Sequence, residues 1–278
     1  MEEFNPHGSN SIGEKMSARI YPDVSILLTL DYEQEPLLRK CTIFQTSVQK
    51  AKIDCYMLST VRTIRERITN QVIEAGGNSL RGLWHHLSMN KGAGLPHILV
   101  NATLGDEDLP GIQAYFRQKI IEQQRELAKS QIQAVELWAI EVFADMPRDK
   151  TGHFPVMDYL QKLSVYLNDY YVQSKNALLR TEKELGMINE IPVNPTTEQI
   201  TMLANTLQQS GSDFNDREDL CHIVALSWLK QNKGYIPIFA TADRKLYEQK
   251  DNLYNITGVI VEDPLYTLGT YRSIMQKP

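Results

Sequence analysis

The sequence is poor in cysteine. Its three cysteines, Cys41, Cys55 and Cys221, are widely spaced and odd in number, and none forms a CxxC pair. A disulfide framework or a cysteine zinc site is therefore not expected. There is also no run of about 18 apolar residues and no apolar signal core near the first residue, which argues against a membrane span and against secretion. We expect a protein of the reducing cytoplasm that has no membrane partner.

The sequence lacks the motif of a phosphate-binding loop and any excess of positive charge. The glycine-rich segment Asn90–Gly94 has neither the spacing nor the Gly-Lys-Ser/Thr ending of such a loop, so a flexible turn is predicted there. The formal net charge of −5 argues against a broad nucleic-acid-binding surface. It is compatible with a nuclease, because the acids of a nuclease can cluster in its site while basic residues line the approach.

Short apolar runs that alternate with helical patterns are typical of a parallel α/β sheet. Residues 1–20 lack periodicity and predict a mobile leader. Gly76 and Gly77 predict the end of a helix that begins near Thr60. The four predicted strands are Val24–Asp31, Ile53–Leu58, Ile236–Ala240 and Gly258–Val261.

Two long helical patterns separate the halves of this predicted sheet. One runs from Asp106 to Asp145 and the other from Pro155 to Leu185, each with an apolar stripe that is typical of an antiparallel helix pair. We therefore predict one α/β domain made of residues 21–78 and 191–278, with an inserted helical region at 79–190. Such an insertion could select the substrate, contact a protein partner or join two copies of the chain.

Acidic residues occur at the ends of predicted strands and at the start of one predicted helix. Asp31 and Asp243 follow apolar strands, and Asp216 and Asp219 are three residues apart, which places them on one helix face. A cluster of carboxylates is the ligand set expected for Mg²⁺ or Mn²⁺ in phosphodiester hydrolysis. The alternative for each single acid is structural: Asp216 and Glu218 suit the first turn of a helix, and Asp243 can be a helix N-cap.

Three short segments resemble the motifs of PIN-domain nucleases. They are Leu30-Asp31 after an apolar run, Asp219-Leu220-Cys221-His222-Ile223-Val224-Ala225, and Thr241-Ala242-Asp243-Arg244. The resemblance covers roughly residues 21–75 and 191–265. It implies a three-layer α/β/α sandwich with a central parallel sheet, and a nuclease that depends on Mg²⁺ or Mn²⁺ and cleaves RNA or, less often, DNA. Asp31, Asp219 and Asp243 would be catalytic metal ligands with Asp216 as an accessory acid, and Thr241 would orient Asp243 or a water.

The chain departs from the PIN pattern in the second predicted helix, where the family usually has an early glutamate. Thr63 occupies the expected place, and Glu66 is the nearest carboxylate, one turn later. Either Glu66 completes the metal site, or the site lacks one ligand. A protein that keeps the fold as a nucleic-acid-binding or protein-interaction scaffold is therefore the alternative to the nuclease.

Basic side chains near these motifs are candidates for phosphate contacts. Arg62, Arg65 and Arg244 suit this role because a guanidinium binds phosphate through two hydrogen bonds. The alternative is an ordinary solvated helix surface. An unrelated α/β enzyme whose acids are only helix caps is a third interpretation, although the sequence offers it no glycine fingerprint, no nucleophile elbow and no Cys/His pair.

Overall fold

The computed structural model describes residues 17–33, 36–92 and 101–276. The described residues fall into two compact units, one within 17–63 and 181–276 and the other within 64–180. Both boundaries fall inside long helices. The sequence placed the inserted region at 79–190, so both predicted boundaries lie further along the chain than those of the structure.

The first unit holds most of the strands together with several short helices. Its strands are β1 (Ala18–Pro22), β2 (Tyr56–Met57), β5 (Ile188–Asn189), β6 (Ile236–Ala240) and β7 (Ile260–Glu262). Its helices are α1 (Val24–Tyr32), α2 (Leu38–Ala51), the start of α3 (Ser59–Gly92), the end of α6 (Val156–Glu184), α7 (Thr197–Gln209), α8 (Arg217–Lys233), α9 (Arg244–Glu248), α10 (Lys250–Thr257) and α11 (Thr267–Met275).

A three-stranded parallel sheet in the order β1-β6-β7 lies in this unit. In the β1–β6 pair Ala18 is opposite Ile236 and Pro22 is opposite Ala240. A second parallel pair joins β2 to β5, and a single bridge connects Ile20 to Cys55. β1 and β6 are mostly apolar and buried, as expected for parallel strands that are covered by helices, whereas both residues of β5 are exposed.

The predicted strand Val24–Asp31 is wrong, because these residues form helix α1. Asp23 caps this helix, and its Oδ1 accepts a hydrogen bond of 2.6 Å from the backbone nitrogen of Val24. Ile26, Leu27 and Leu30 are all buried, so the helix is apolar on nearly every side. Such a helix gives the same continuous apolar run as a buried strand, and the run alone does not distinguish the two.

The true first strand is β1, which lies mostly inside the predicted leader. The rest of that leader, residues 1–16, lies outside the described residues. The predicted strand Ile53–Leu58 shrinks to Tyr56–Met57. The three-layer α/β/α sandwich with a central parallel sheet is wrong as well: the structure is mainly helical, and its strands are short and form small sheets of two or three strands. The sheet is smaller than predicted because the apolar run Val24–Asp31, which was predicted as a strand, is part of helix α1.

The second unit is built from helices and one short pair of strands. It contains the rest of α3, β3 (Thr103–Leu104), a 3₁₀ turn (Asp106–Asp108), α4 (Leu109–Glu122), α5 (Glu126–Ala144), β4 (Phe154–Pro155) and most of α6. The strands β3 and β4 pair antiparallel. The predicted helix Asp106–Asp145 is therefore two helices, whereas the prediction for Pro155–Leu185 nearly matches α6.

Gly76 and Gly77 do not end α3, which continues to Gly92. A Cβ atom at Gly76 would lie 2.9 Å from Nε2 of Gln131 and 3.3 Å from Cγ2 of Val135. The absence of a side chain at Gly76 thus permits close packing of α3 against α5, and this contact compensates for the low helix propensity of glycine. The predicted turn at Asn90–Gly94 is helical as far as Gly92 and lies outside the described residues after that.

None of the helices in the described ranges has the length and hydropathy that a membrane span requires.

The aromatic cluster of the second unit predicts that truncation of Phe143 strongly lowers the stability of the protein. Phe143 is 1% exposed, and its ring lies 4.9 Å from that of Phe154 and 5.7 Å from that of Tyr159. We expect Phe143→Ala to lower the free energy of unfolding by about 3–5 kcal/mol, since it removes buried apolar surface and leaves a cavity. Leu137→Ala, on the same helix but at a site that is 60% exposed, is the matched control. Equal urea midpoints for the two variants would contradict the assigned core.

Candidate functional site

The β1–β6 register brings two polar segments to one edge of the sheet. Because Pro22 pairs with Ala240, the chain leaves both strands at the same height, and Asp23 and Thr241 are the next residues. The backbone nitrogen of Asp23 extends the pairing by donating to the carbonyl of Ala240 at 2.8 Å. Carboxyl ends of parallel strands are where α/β sheets place binding sites. Asp23 is therefore the acid at the tip of the first strand.

Two hydroxyl groups hold the Asp23 carboxylate. Thr241 Oγ1 donates to Asp23 Oδ2 at 2.8 Å, and Ser25 Oγ donates to the same oxygen at 2.6 Å. The same two hydroxyls accept backbone N–H groups of the loop after β6, Thr241 from Asp243 at 3.0 Å and Ser25 from Ala242 at 3.1 Å. Asp23 is 2% exposed and Thr241 is fully buried. The network thus fixes the β6–α9 loop against the start of α1.

Asp216 and Asp243 are helix N-caps, whereas the structural alternative from the sequence proposed a cap only for Asp243 and a place in the first helical turn for Asp216. Asp216 Oδ1 accepts from the backbone nitrogens of Glu218 and Asp219 at the start of α8. Asp243 Oδ1 accepts from those of Lys245 and Leu246 at the start of α9. Within the described part of the chain, Oδ2 of each cap receives no hydrogen bond. A capping role therefore leaves one oxygen of each carboxylate available for a ligand.

Asp219 is the least satisfied acid of the group. Burial raises the pKa of its carboxyl to about 8, and the negative charges of Asp23, Asp216, Asp243 and Glu218 add to the effect. Its side chain has no hydrogen bond or ion pair with any residue that the structure describes. Four aspartates from three chain segments therefore lie close enough to repel one another, and no cation in the described part of this chain compensates Asp219.

An open cleft of 590 Å³ lies over three of these acids. Arg244 and Lys245 of α9 contribute exposed cationic side chains to its wall, and Phe214 contributes an aromatic ring. Arg244 pairs with Glu248 at 2.8 Å, but its side chain is 89% exposed. The residues that line the cleft are Asp213, Phe214, Asn215, Asp216, Asp219, Asp243, Arg244, Lys245, Glu248 and Gln249.

His222 lies on α8 three residues after Asp219 and is 1% exposed. Its Nδ1 is 2.8 Å from Oγ1 of Thr60, at the start of α3. Burial lowers the pKa of His222, and this effect outweighs the opposite influence of Asp23, Glu218 and Asp216. A neutral imidazole is therefore part of the packing that joins α8 to α3, rather than a counter-charge for the aspartates.

Of the acids predicted from the sequence, Asp216, Asp219 and Asp243 come together, and Thr241 lies among them. Asp31 does not join them: it is buried in the last turn of α1 and is not one of the charges that raise the pKa of Asp219. Its assignment as a metal ligand at a strand tip is corrected, because the segment that carries it is a helix. Glu66 is exposed on the part of α3 that belongs to the second unit, whereas the three aspartates belong to the first.

Asp23 occupies the position at the tip of the first strand, which the sequence analysis predicted for Asp31. Two signals could have identified it. The run Ala18-Arg19-Ile20-Tyr21-Pro22 alternates in character and stops at proline, which suits the end of a strand. Asp23 then precedes an apolar run of helix length, which is the usual position of an N-cap.

The three arginines that were predicted to contact phosphate have different surroundings in the structure. Arg244 lies at the cleft, whereas Arg62 pairs with Glu182 at 3.5 Å. Arg65 is 1% exposed and donates to the backbone carbonyl of Leu178 at 3.1 Å. Arg65 is thus a core residue that ties α3 to α6, and the proposed contact with a ligand is corrected because its guanidinium is buried.

The types of side chain at this site suit a hard divalent cation, but their present positions do not form a site for one. Carboxylate oxygens are the preferred ligands of Mg²⁺ and Mn²⁺. As the side chains of the described residues stand, however, no three histidine, cysteine, aspartate or glutamate groups converge on one point where an ion could be held. The donor types therefore fit such an ion, and the carboxylates would have to approach one another to bind it.

The raised pKa of Asp219 predicts how stability depends on pH in the presence of a chelator. A carboxyl with a pKa of about 8 in the folded state, against 3.8 for an ordinary solvated aspartate, holds its proton more tightly when folded. The folded state therefore loses stability as the pH rises from about 4 to 8, and Asp219→Asn should abolish this loss, leaving the variant more stable at pH 8 by roughly 2–5 kcal/mol. Urea unfolding in EDTA at both ends of this range measures the effect.

Asp251→Asn, on the exposed surface of α10, is the control for that substitution and should keep the wild-type pH profile. Identical profiles for wild type and Asp219→Asn would show that the carboxylates do not interact as described.

Removal of the Thr241 hydroxyl predicts a loss of stability through Asp23. Thr241→Val keeps the shape of the side chain but leaves Asp23 Oδ2 and the backbone nitrogen of Asp243 each without one partner. We expect a loss of about 1–3 kcal/mol in the free energy of unfolding. Thr241→Ser retains the hydroxyl and should lose less. If the valine variant is as stable as the serine variant in urea, the hydroxyl does not organise this edge.

Comparison of the chain with protein-family models, with curated proteins and with solved structures gives no match.

Proposed function

We propose that this chain is a metal-dependent nuclease that hydrolyses phosphodiester bonds, an endoribonuclease that uses Mg²⁺ or Mn²⁺. The observation that carries the proposal is the gathering of Asp23, Asp216, Asp219 and Asp243 at one end of the β1–β6 pair, where an open cleft lies over Asp216, Asp219 and Asp243. A relationship to PIN-domain nucleases, suggested by the segments around Asp219 and Asp243, is part of the same proposal.

The electrostatics of the aspartates support a cation as their partner. Carboxylates that are brought together without a counter-charge destabilise the folded state, and the raised pKa of Asp219 expresses this cost. Proteins keep such arrangements where a ligand offsets the cost. A divalent cation bound by these acids would supply an activated water and the positive charge that phosphodiester hydrolysis requires.

The neighbouring residues would position the carboxylates for this task. Ser25 and Thr241 hold Asp23 through Oδ2. The N-cap bonds hold Asp216 and Asp243 through Oδ1. These bonds limit how far the three carboxylates can move when they approach one another around an ion.

The walls of the cleft suit a single-stranded nucleic acid. Arg244 and Lys245 can neutralise phosphate charges, and the ring of Phe214 offers a stacking surface to a base. A single strand can bring its backbone to the acids while a base reaches this ring. RNA is proposed rather than DNA on the strength of the family resemblance. The three cysteines are free thiols, which supports a place in the reducing cytoplasm.

A non-catalytic scaffold is the second candidate, and one observation favours it. The first turn of α3 offers the hydroxyls of Ser59, Thr60 and Thr63 where the resemblance predicts a glutamate, and Glu66 does not join the aspartates. With one ligand fewer, such a protein would bind nucleic acid in the cleft without cleaving it.

The nuclease proposal predicts which acids cleavage requires. Labelled single-stranded RNA with Mn²⁺ should be cut by the wild type, and Asp219→Asn and Asp243→Asn should each lower the rate roughly a hundredfold or more, because each removes a charged ligand. Asp23→Asn should do the same, whereas Asp31→Asn should not, which separates the structural from the sequence-based assignment. Asp251→Asn is the exposed control.

Cleavage that survives both Asp219→Asn and Asp243→Asn would overturn this site. A folded wild type that binds RNA but cleaves neither RNA nor DNA with either metal would identify the scaffold instead.

A further inference from the structure

Helix α6 carries a stripe of exposed apolar side chains. Val165 is 57% exposed, Val172 is 49% exposed and Leu179 is 65% exposed. Consecutive members are seven residues apart, so each turns by only about 20° around the helix relative to the next. The three residues, called here the α6 stripe, therefore form one narrow line about 21 Å long.

Packing against the residues that the structure describes does not explain the α6 stripe. The buried residues of this helix, among them Tyr159, Leu163 and Ser174, lie on the opposite side, so the stripe faces away from the core. Single exposed apolar residues are ordinary on protein surfaces, whereas three in one line along a helix, with two asparagines between them, form a face that a second helix can cover. Helix propensity does not account for the line either, because valine is a weaker helix former than most polar residues.

The sequence of this face is symmetric about Val172. Val165 and Leu179 lie seven residues before and after it, and Asn168 and Asn176 lie four residues before and after it. When two identical helices pack antiparallel about a two-fold axis through one residue, a position before that residue lies at the height of the equally distant position after it. A pattern with this symmetry is what such a pair of helices requires.

We propose that the α6 stripe binds the α6 stripe of a second copy of this chain, in an antiparallel pair centred on Val172. Val172 contacts its counterpart, and Val165 packs against Leu179 of the partner subunit. Asn168 lies beside Asn176 of the partner subunit, where each amide can both donate and accept. A polar pair of this kind in a helix seam fixes the register and lowers the affinity.

The charges beside the stripe agree with the antiparallel arrangement. Asp169 and Arg180 lie along the same edge of the stripe. Antiparallel packing places Asp169 near Arg180 of the partner subunit, and the symmetry repeats this contact. Both side chains lean toward the N-terminus of their own helix and hence toward each other. Arg180 of the partner subunit therefore meets Asp169 in both copies, while Lys162 on the same edge extends away from that arginine toward the N-terminus of its own helix.

The small size of the stripe predicts a weak dimer. Three apolar residues on each side bury less surface than a permanent dimer does. The proposal therefore concerns an equilibrium between monomer and dimer, which sedimentation equilibrium detects as an average mass that rises with concentration. Val172→Glu should weaken the association at least about tenfold, since it buries two unpaired carboxylates at the two-fold axis.

Tyr166→Glu is the matched control, because Tyr166 is also exposed on α6, at 42%, but lies off the stripe. It should leave the dissociation constant unchanged. A wild type that stays monomeric at every soluble concentration would overturn the proposal, and so would equal weakening by the two glutamate variants.

Cysteine cross-linking tests the direction of the helices. In a Cys221→Ser background, Val172→Cys should form a disulfide between two copies under mild oxidation. Val165→Cys alone should not, whereas a mixture of Val165→Cys and Leu179→Cys chains should. Efficient cross-linking of Val165→Cys to itself would indicate parallel helices and overturn the antiparallel arrangement. The remaining cysteines, Cys41 and Cys55, are buried.

Discussion

The candidate site depends on the register in which β1 pairs with β6. This pairing ends both strands together, and Asp23 and Thr241 are joined by a hydrogen bond of 2.8 Å immediately beyond it. A shift by one residue would turn Thr241 to the other face of the strand and leave the buried Asp23 without a donor. The start of α1, the β6–α9 loop and the cap of α9 all take their positions from this bond. The parallel pairing is small, but it decides which acids can meet.

The same edge combines satisfied and unsatisfied acids. Asp23, Asp216 and Asp243 each accept hydrogen bonds, whereas Asp219 accepts none from the described residues and its pKa is raised to about 8. One buried acid without a hydrogen bond, beside three acids that have them, lowers the stability of the folded state at neutral pH. Such local conflicts are typical of functional sites, where binding rather than folding resolves them. The capping roles of Asp216 and Asp243 do not compete with this interpretation, because each cap uses one oxygen.

The two units differ in how they are stabilised. The first has short strands, several helix caps and the polar network at the sheet edge. The second depends on helix packing around a cluster of aromatic rings, and on close approach of α5 to α3 at Gly76. The exposed stripe on α6 belongs to this second unit. The residues proposed for association are therefore separate in the chain from those proposed for catalysis, so either proposal can fail without the other.

The sequence by itself determined the helices with clear periodicity, the strand β6 and the acids that follow or precede it, because local spacing and capping signals define these features. It determined Asp216, Asp219 and Asp243 as a group, but not Asp23 or the exclusion of Asp31, Glu66 and Arg65. A continuous apolar run fits a buried helix as well as a buried strand, and only tertiary packing decided that Val24–Tyr32 is helical. Burial likewise depends on distant chain segments: Arg65 is a core residue because Leu178 accepts its hydrogen bond, and no local pattern carries that information.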